Sequence, residues 1–272
     1  MSSWATRVTR RLAVLAFFAA GAALAAGGSD LRLVPAPGSR LDVESLQRGA
    51  RNFVNYCVSC HSAKYMRYER LTDLDLTRAQ ITENLMFGTD KIGSVMQASM
   101  SVADARAWFG APPPDLSVEA RIRGSDWLYN YFLSFYPDEK SATGWNNLVF
   151  PNVAMPHVLW QLSGPNKLVA AEYANHEAAV AGAIAIKGLS KLEPGKDGKW
   201  TVVAVKADEN IPGTLNQVQY EQWVADLVNY LDYMAEPAKN KRLNLGMIVL
   251  LYLGVLFVFA YWMKRVFWKD VH

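Results

Sequence analysis

Cysteine is nearly absent: Cys57 and Cys60 are the only two in 272 residues. With both in one short motif, no structural disulfide can staple distant parts of the chain. Charge of one sign is also missing as a block. The 28 Lys+Arg and 25 Asp+Glu leave a formal +3, which gives no basis for a nucleic-acid binder or a charged binding tail. No internal repeat and no low-complexity tract occurs, so solenoid and linker arrays are excluded.

Charge is absent from two long apolar stretches. The first, Leu12 to Ala26, follows Arg7, Arg10 and Arg11 and contains Ala23-Leu24-Ala25. A basic start, a short apolar run and small residues at its end describe a secretory signal peptide, expected to be cleaved after about Ala25. The second, Leu245 to Met263, holds 19 residues without a charge. Its length suits one membrane-spanning helix of roughly 20 residues. Lys239, Lys241 and Arg242 flank it on one side and Lys264, Arg265 and Lys269 on the other, so the positive-inside rule gives no orientation. The signal peptide does, sending the body outward. The expected organisation is a signal peptide over 1–25, a periplasmic domain over 26–241, an anchor over 242–264 and a cytoplasmic tail over 265–272.

Within the body, Leu46, Ala50, Phe53, Val54 and Cys57 recur at helical spacing, which predicts a helix delivering Cys57 into a core. Residues 73–110 read as mostly helical, with breaks at Gly88 and Gly93. Ala111-Pro112-Pro113-Pro114-Asp115 must be an extended loop, because three prolines fix φ and remove donors. Leu116 to Tyr136 resumes a helical pattern, and 137–166 reads as loop. Ala-rich 167–188 is expected to be helical. Turn signals at 193–199 followed by Trp200 to Val205 predict a small hairpin. A final helix is predicted over 214–235, from the apolar stripe Tyr220, Trp223, Val224, Leu227, Val228, Leu231 and Met234. Thr214 and Gln217 have capping-box spacing there.

The chemistry sits in Cys57-Val58-Ser59-Cys60-His61, the attachment sequence for c-type haem. Two thiols at the end of a helix can add across the two vinyl groups of one porphyrin, and the next residue brings an imidazole to the iron. A zinc site would need more ligands, and a redox dithiol would need a βαβ context. The sixth iron ligand has seven candidates: Met66, Met86, Met96, Met100, Met155, His157 and His176. Spacing does not choose among them. Single-haem cytochromes usually carry the distal Met on a loop before the final helix, which favours Met155, between Pro151 and Pro156. Met/His ligation raises the reduction potential and suits electron transfer.

These residues together resemble the cytochrome c1 family, the haem subunit of the cytochrome bc1 complex. The resemblance runs through Ser45–Gly49, Cys57–Ser62, Tyr65–Leu71, Ala111–Ser117, Arg121–Arg123, the Met155-Pro156 loop, Ala235–Pro237 and the C-terminal span. It implies a mainly α, class I cytochrome c-like haem domain with loop insertions and one C-terminal transmembrane helix. It implies one covalent haem c held by Cys57 and Cys60, with His61 and Met155 axial, Pro112 and Pro113 packed on the haem edge and Arg121 near a propionate. It also implies an electron carrier with no catalytic residues of its own. The implied neighbours are cytochrome b, the Rieske iron–sulfur protein, a cytochrome c acceptor and membrane lipid. The segment from about Gly164 to Asn210 is longer than in mitochondrial members. Two other readings stay open: a cytochrome c subunit of another respiratory complex such as a terminal oxidase, and a haem peroxidase or gas sensor.

Overall fold

A computed structural model describes residues 30–39 and 41–270, apart from the side chain of Asn240. The expected signal peptide lies outside the described residues. The described chain forms two compact units. One comprises 34–167 and the chain from 206 onward, the other 168–205 with the N-terminal stretch up to Leu33.

The larger unit is built on helices. Helix α1 (Val43–Tyr56) starts where the Asp42 carboxylate accepts from Ser45 N, and it buries Leu46, Ala50, Phe53 and Val54. It packs on α8 (Gln217–Ala235), whose buried face includes Tyr220, Val224, Leu227, Val228 and Leu231. Each such side chain contributes roughly 1.5–3 kcal/mol when fully buried. The crossing is close because position 49 is glycine: a Cβ there would overlap the Asp226 carbonyl and the Tyr230 side chain. Around it, Asp226 accepts from Ser45 Oγ at 2.7 Å and from Arg48 Nε at 2.6 Å, so the buried carboxylate is fully partnered. Phe53 and Tyr230 meet at 5.7 Å and Tyr56 and Trp223 at 5.1 Å.

Helices α2 (Arg78–Leu85), α3 (Val102–Phe109), α4 (Glu119–Arg123), α5 (Ser125–Leu133) and α6 (Trp160–Ser163) follow in order, with the short strands β2 (Ala63–Arg67), β3 (Val95–Met96), β4 (Phe135–Pro137) and β5 (Trp145–Asn147) between α1 and α6. Tyr220 anchors α8 to α5 by donating to Phe132 O at 2.9 Å. The expected helix over 116–136 is broken at Gly124, which adopts φ +89°. The capping box of α8 is formed by Asn216 and Gln219, not by Thr214 and Gln217. Thr214 and Leu215 instead donate backbone bonds to Gln161 and Leu162, so the helix cannot start before them. After Pro237, α9 (Lys239–Phe267) begins. Within its Lys241–Phe267 portion the most apolar 18-residue window has a mean hydropathy of 2.4 and none of it is buried, as expected of a helix that faces lipid.

The smaller unit contains the long segment. Four strands lie in the order β1 (Leu31–Arg32), β7 (Ser190–Pro194), β8 (Trp200–Ala207), β6 (Asn166–Tyr173). The β7–β8 hairpin pairs Pro194 with Trp200, as the turn signals predicted. Helix α7 (His176–Ala185) places Ala179 and Ala183 against Leu192 and Val202, with Tyr173 and Trp200 around them. The expected helix over 167–188 is therefore corrected. Residues 166–173 are a strand, since sheet pairing overrides local helix propensity, alanine's included, and the helix begins only where Asn175 caps it. In the larger unit, the two ends of this excursion are stapled together. Asp208 N donates to Pro165 O at 2.9 Å and Lys167 pairs with Asp208 at 2.7 Å. Gly164 and Gly213 lie so close that neither has room for a Cβ.

Candidate functional site

The C-terminus of α1 delivers the motif. Cys57 is the cap residue, donating to Phe53 O at 2.8 Å, and Cys60 and His61 both return backbone N–H groups to Cys57 O at 3.1 and 2.8 Å. This single turn brings two free thiols and an imidazole to one wall of a cavity of about 350 Å³. Cys57 is buried, which pushes its thiol up to about 12 because the thiolate is poorly solvated there.

The triple-proline loop forms the adjoining wall. It is tied to the residues after His61 by Leu116 N to Ser62 O at 2.8 Å, Lys64 N to Asp115 Oδ2 at 3.0 Å and Tyr65 N to Ser117 Oγ at 3.1 Å. That registration puts Pro114 O 2.8 Å from His61 Nδ1. A carbonyl can only accept, so Nδ1 carries the proton and Nε2 keeps its lone pair. Desolvation lowers the His61 pKa, partly offset by this bond, so the ring is held neutral. An oriented, neutral imidazole backed by a carbonyl is the form a metal ligand requires.

The remaining wall comes from α5 and from the loop after β5 (Trp145–Asn147). Two asparagines shape that loop. The Asn147 side chain is fully buried; it donates to Tyr131 O at 2.8 Å and accepts from Val149 N at 2.9 Å and Phe150 N at 3.0 Å. Asn146 accepts from Asn152 N at 2.8 Å and donates to Asp138 at 2.7 Å. Met155, farther along this loop, lines the cavity, and Tyr131 donates its hydroxyl to the Met155 thioether at 3.4 Å. Burial raises the Tyr131 phenol above its usual range, so it stays protonated and acts as a donor.

Of the seven candidates for the sixth ligand, Met155 alone lines the cavity. Met66, Met86 and Met96 are buried in the core, and Met96 accepts from Tyr230 at 3.6 Å. His176 packs on Trp200 in the smaller unit. His157 points elsewhere: its ring stacks on Phe135 at 4.9 Å and its Nε2 meets Ser163 Oγ at 2.9 Å. Desolvation pushes its pKa down to about 4, a neutral core histidine.

Pro112 and Pro113 line the cavity. Arg121 does not; Arg123, exposed like Arg121, is the arginine on the wall. Residues two apart on a helix project from nearly opposite sides, so only one of the pair can face inward. Arg123 lies 4.7 Å over the Trp127 ring and 3.6 Å from Glu119. Sequence reasoning missed Tyr131, Trp127, Asn146, Asn147 and Arg123. Only the crowding of aromatics in α5 hinted at them.

The donor set fits haem c. Two unpaired thiols at the attachment spacing, a neutral imidazole with Nε2 free and a thioether from a different loop share one largely apolar cavity.

Comparison with known proteins agrees. The sequence model of the cytochrome C1 family matches residues 35–165 and 209–271, leaving out the excursion between them. Cytochrome c1 of Allochromatium vinosum is 41% identical over 264 residues, covering 96% of this chain and 98% of that one. A Nitrosomonas europaea protein named ammonia monooxygenase gamma subunit is 41% identical over 245 residues, 90% of this chain and 91% of its own. The mitochondrial cytochrome c1 haem protein of Neurospora crassa is 28% identical over 254 residues, 84% of this chain and 62% of its own. With two thirds of its length matched in register by the family model, the chain belongs to the cytochrome c1 family: a membrane-anchored electron-transfer subunit that carries one covalently bound haem c and is not a catalyst on its own.

Proposed function

We propose that this chain accepts single electrons from a Rieske iron–sulfur protein and passes them to a cytochrome c, assembled with cytochrome b in a quinol–cytochrome c reductase. The observation that carries the reading is one cavity lined by Cys57, Cys60, His61 and Met155 together. Cys57 and Cys60 would hold the haem by thioether bonds, and His61 and Met155 would supply an imidazole and a thioether to its iron. Bound there, haem c supplies a one-electron iron couple. The chain's own contribution is to keep His61 oriented through Pro114, to keep Met155 on a clamped loop and to exclude water with Pro112, Pro113 and the α5 aromatics. Fixed ligands in both redox states keep reorganisation small, which favours fast transfer over chemistry at the iron.

The haem domain faces the periplasm and the tail after Lys264 the cytoplasm, on the strength of the N-terminal basic–apolar–small pattern. Purification from native membranes in mild detergent tests the assignment. A c-type spectrum together with cytochrome b and a Rieske protein by mass spectrometry is expected. A c-type band with oxidase subunits, or with no partner, overturns the assignment to that complex. Rapid carbon monoxide binding to the reduced protein overturns the electron-carrier reading and favours a peroxidase, oxygenase-associated or gas-binding role, because a stable Met155 ligand resists displacement.

A further inference from the structure

The Met155 thioether has a partner of its own. Tyr131 donates its hydroxyl to Met155 Sδ at 3.4 Å, and the arrangement around Tyr131 is built rather than incidental. Its ring lies flat on Trp127, with centroids 5.1 Å apart and planes 11° from parallel, and Phe135 meets it edge-on at 5.0 Å. Its backbone carbonyl is held by Asn147 Nδ2 at 2.8 Å, and the same Asn147 accepts from Val149 and Phe150 at the root of the Met155 loop. One buried amide thus registers both the donor helix and the acceptor loop. Tyr131 is only 8% exposed, so its phenol is largely shielded from bulk water.

We propose that Tyr131 tunes the electron affinity of this site by hydrogen-bonding the sulfur of Met155. The proposal rests on Met155 being an axial ligand. A thioether sulfur has two lone pairs; one faces the metal and the second accepts from the phenol. That bond draws density from the sulfur and weakens its donation. The oxidised iron depends on ligand donation more than the reduced iron does, so the bond favours the reduced state and raises the potential. Hydrogen bonding to a ligand from the surrounding shell is a recognised means of tuning a metal site. Tyr131 is thereby a positioning residue: it acts through Met155 and touches no substrate.

The experiment is Tyr131→Phe in the full chain, with a redox titration and the near-infrared band that reports sulfur on ferric haem. Phe keeps the ring contacts with Trp127 and Phe135 and deletes only the donor. The expected result is unchanged haem content, a shifted but present band, and an oxidised-to-reduced ratio at fixed potential raised about threefold or more, which is about 30 mV at 59 mV per tenfold for one electron. An unmoved potential and band overturn the proposal. Met155→Leu separates the two layers. If that variant loses the band while Tyr131→Phe changes nothing, Met155 is the ligand and Tyr131 merely packs. If Met155→Leu keeps the band, the ligand reading fails and the tuning role fails with it. Should Tyr131→Phe not accumulate, proton NMR of the unmodified reduced protein decides. A slowly exchanging Tyr131 hydroxyl with a cross-peak to the Met155 methyl supports the bond, and a hydroxyl lost to fast exchange overturns it.

Discussion

The two sides of the cavity are made in opposite ways. The His61 side is local: five consecutive residues at the end of α1 supply both thiols and the imidazole, and one helical cap shapes them. The Met155 side is assembled from afar. Its ligand candidate lies 94 positions beyond His61 on a loop without regular structure, and buried side-chain amides hold it where backbone ladders do not. Local sites are robust because chain connectivity enforces the geometry. Non-local sites must be ordered by bonds that offset loop entropy, and each such bond is a point of failure.

The largest effect comes from breaking the local side. Cys57→Ala with Cys60→Ala removes both attachment points, so the haem stain of the denatured polypeptide disappears completely. Persistent stain would show another attachment chemistry. Next is Asn147→Ala, which leaves the Val149 and Phe150 amides without their acceptor and removes one of the bonds to the Tyr131 carbonyl. At about 1–3 kcal/mol per buried unsatisfied group, a loss of roughly 3 kcal/mol in denaturant unfolding is expected. Carbon monoxide binding to the reduced haem should appear as the Met155 loop loosens. The same change with the sixth position still closed to carbon monoxide would mean the loop is held by something other than this amide.

A smaller effect tests the joint between the two sides. Asp115 pins the proline loop through Lys64 N and Ser117 N. Burial would raise its pKa, but these bonds outweigh that and leave it below the usual carboxylate value. A depressed carboxylate stabilises the fold above its unfolded pKa and loses that contribution as pH falls. Asp115→Asn should therefore be less stable than the parent by about 1 kcal/mol at neutral pH, with the difference fading below pH ~4. A difference independent of pH would assign it to packing. The smallest effect is expected from replacing 168–205 by a short glycine linker. The stapled base at Gly164, Pro165, Asp208 and Gly213 stays in place, so the c-type spectrum should be unchanged. A lost Met–iron band would show that the excursion supports the site.

The local side was legible because its chemistry is written in adjacent residues. Cys-x-x-Cys-His needs no tertiary information, and the α1 stripe that carries it has the 3.6-residue period. The same holds for α8 and the membrane helix, whose patterns are long. Arg123 lines the cavity and Arg121 does not, a difference the sequence hides because it shows two arginines two apart and not which side of a five-residue helix meets the cavity. The 166–173 strand was taken for helix because alanine favours helix, and the neighbouring strand whose pairing overrides that preference is not visible in the local sequence.

The sequence by itself determined the covalent haem motif, the family, the apolar span and the helical frame, since each rests on spacing along the chain. The tertiary structure decided what spacing cannot: that Met155 alone among seven candidates reaches the cavity, that Arg123 rather than Arg121 faces it, and that Tyr131 stands behind the sulfur. Those choices depend on which distant backbone groups Asn146 and Asn147 bind, and a hydrogen bond across the fold leaves no periodic trace in the sequence.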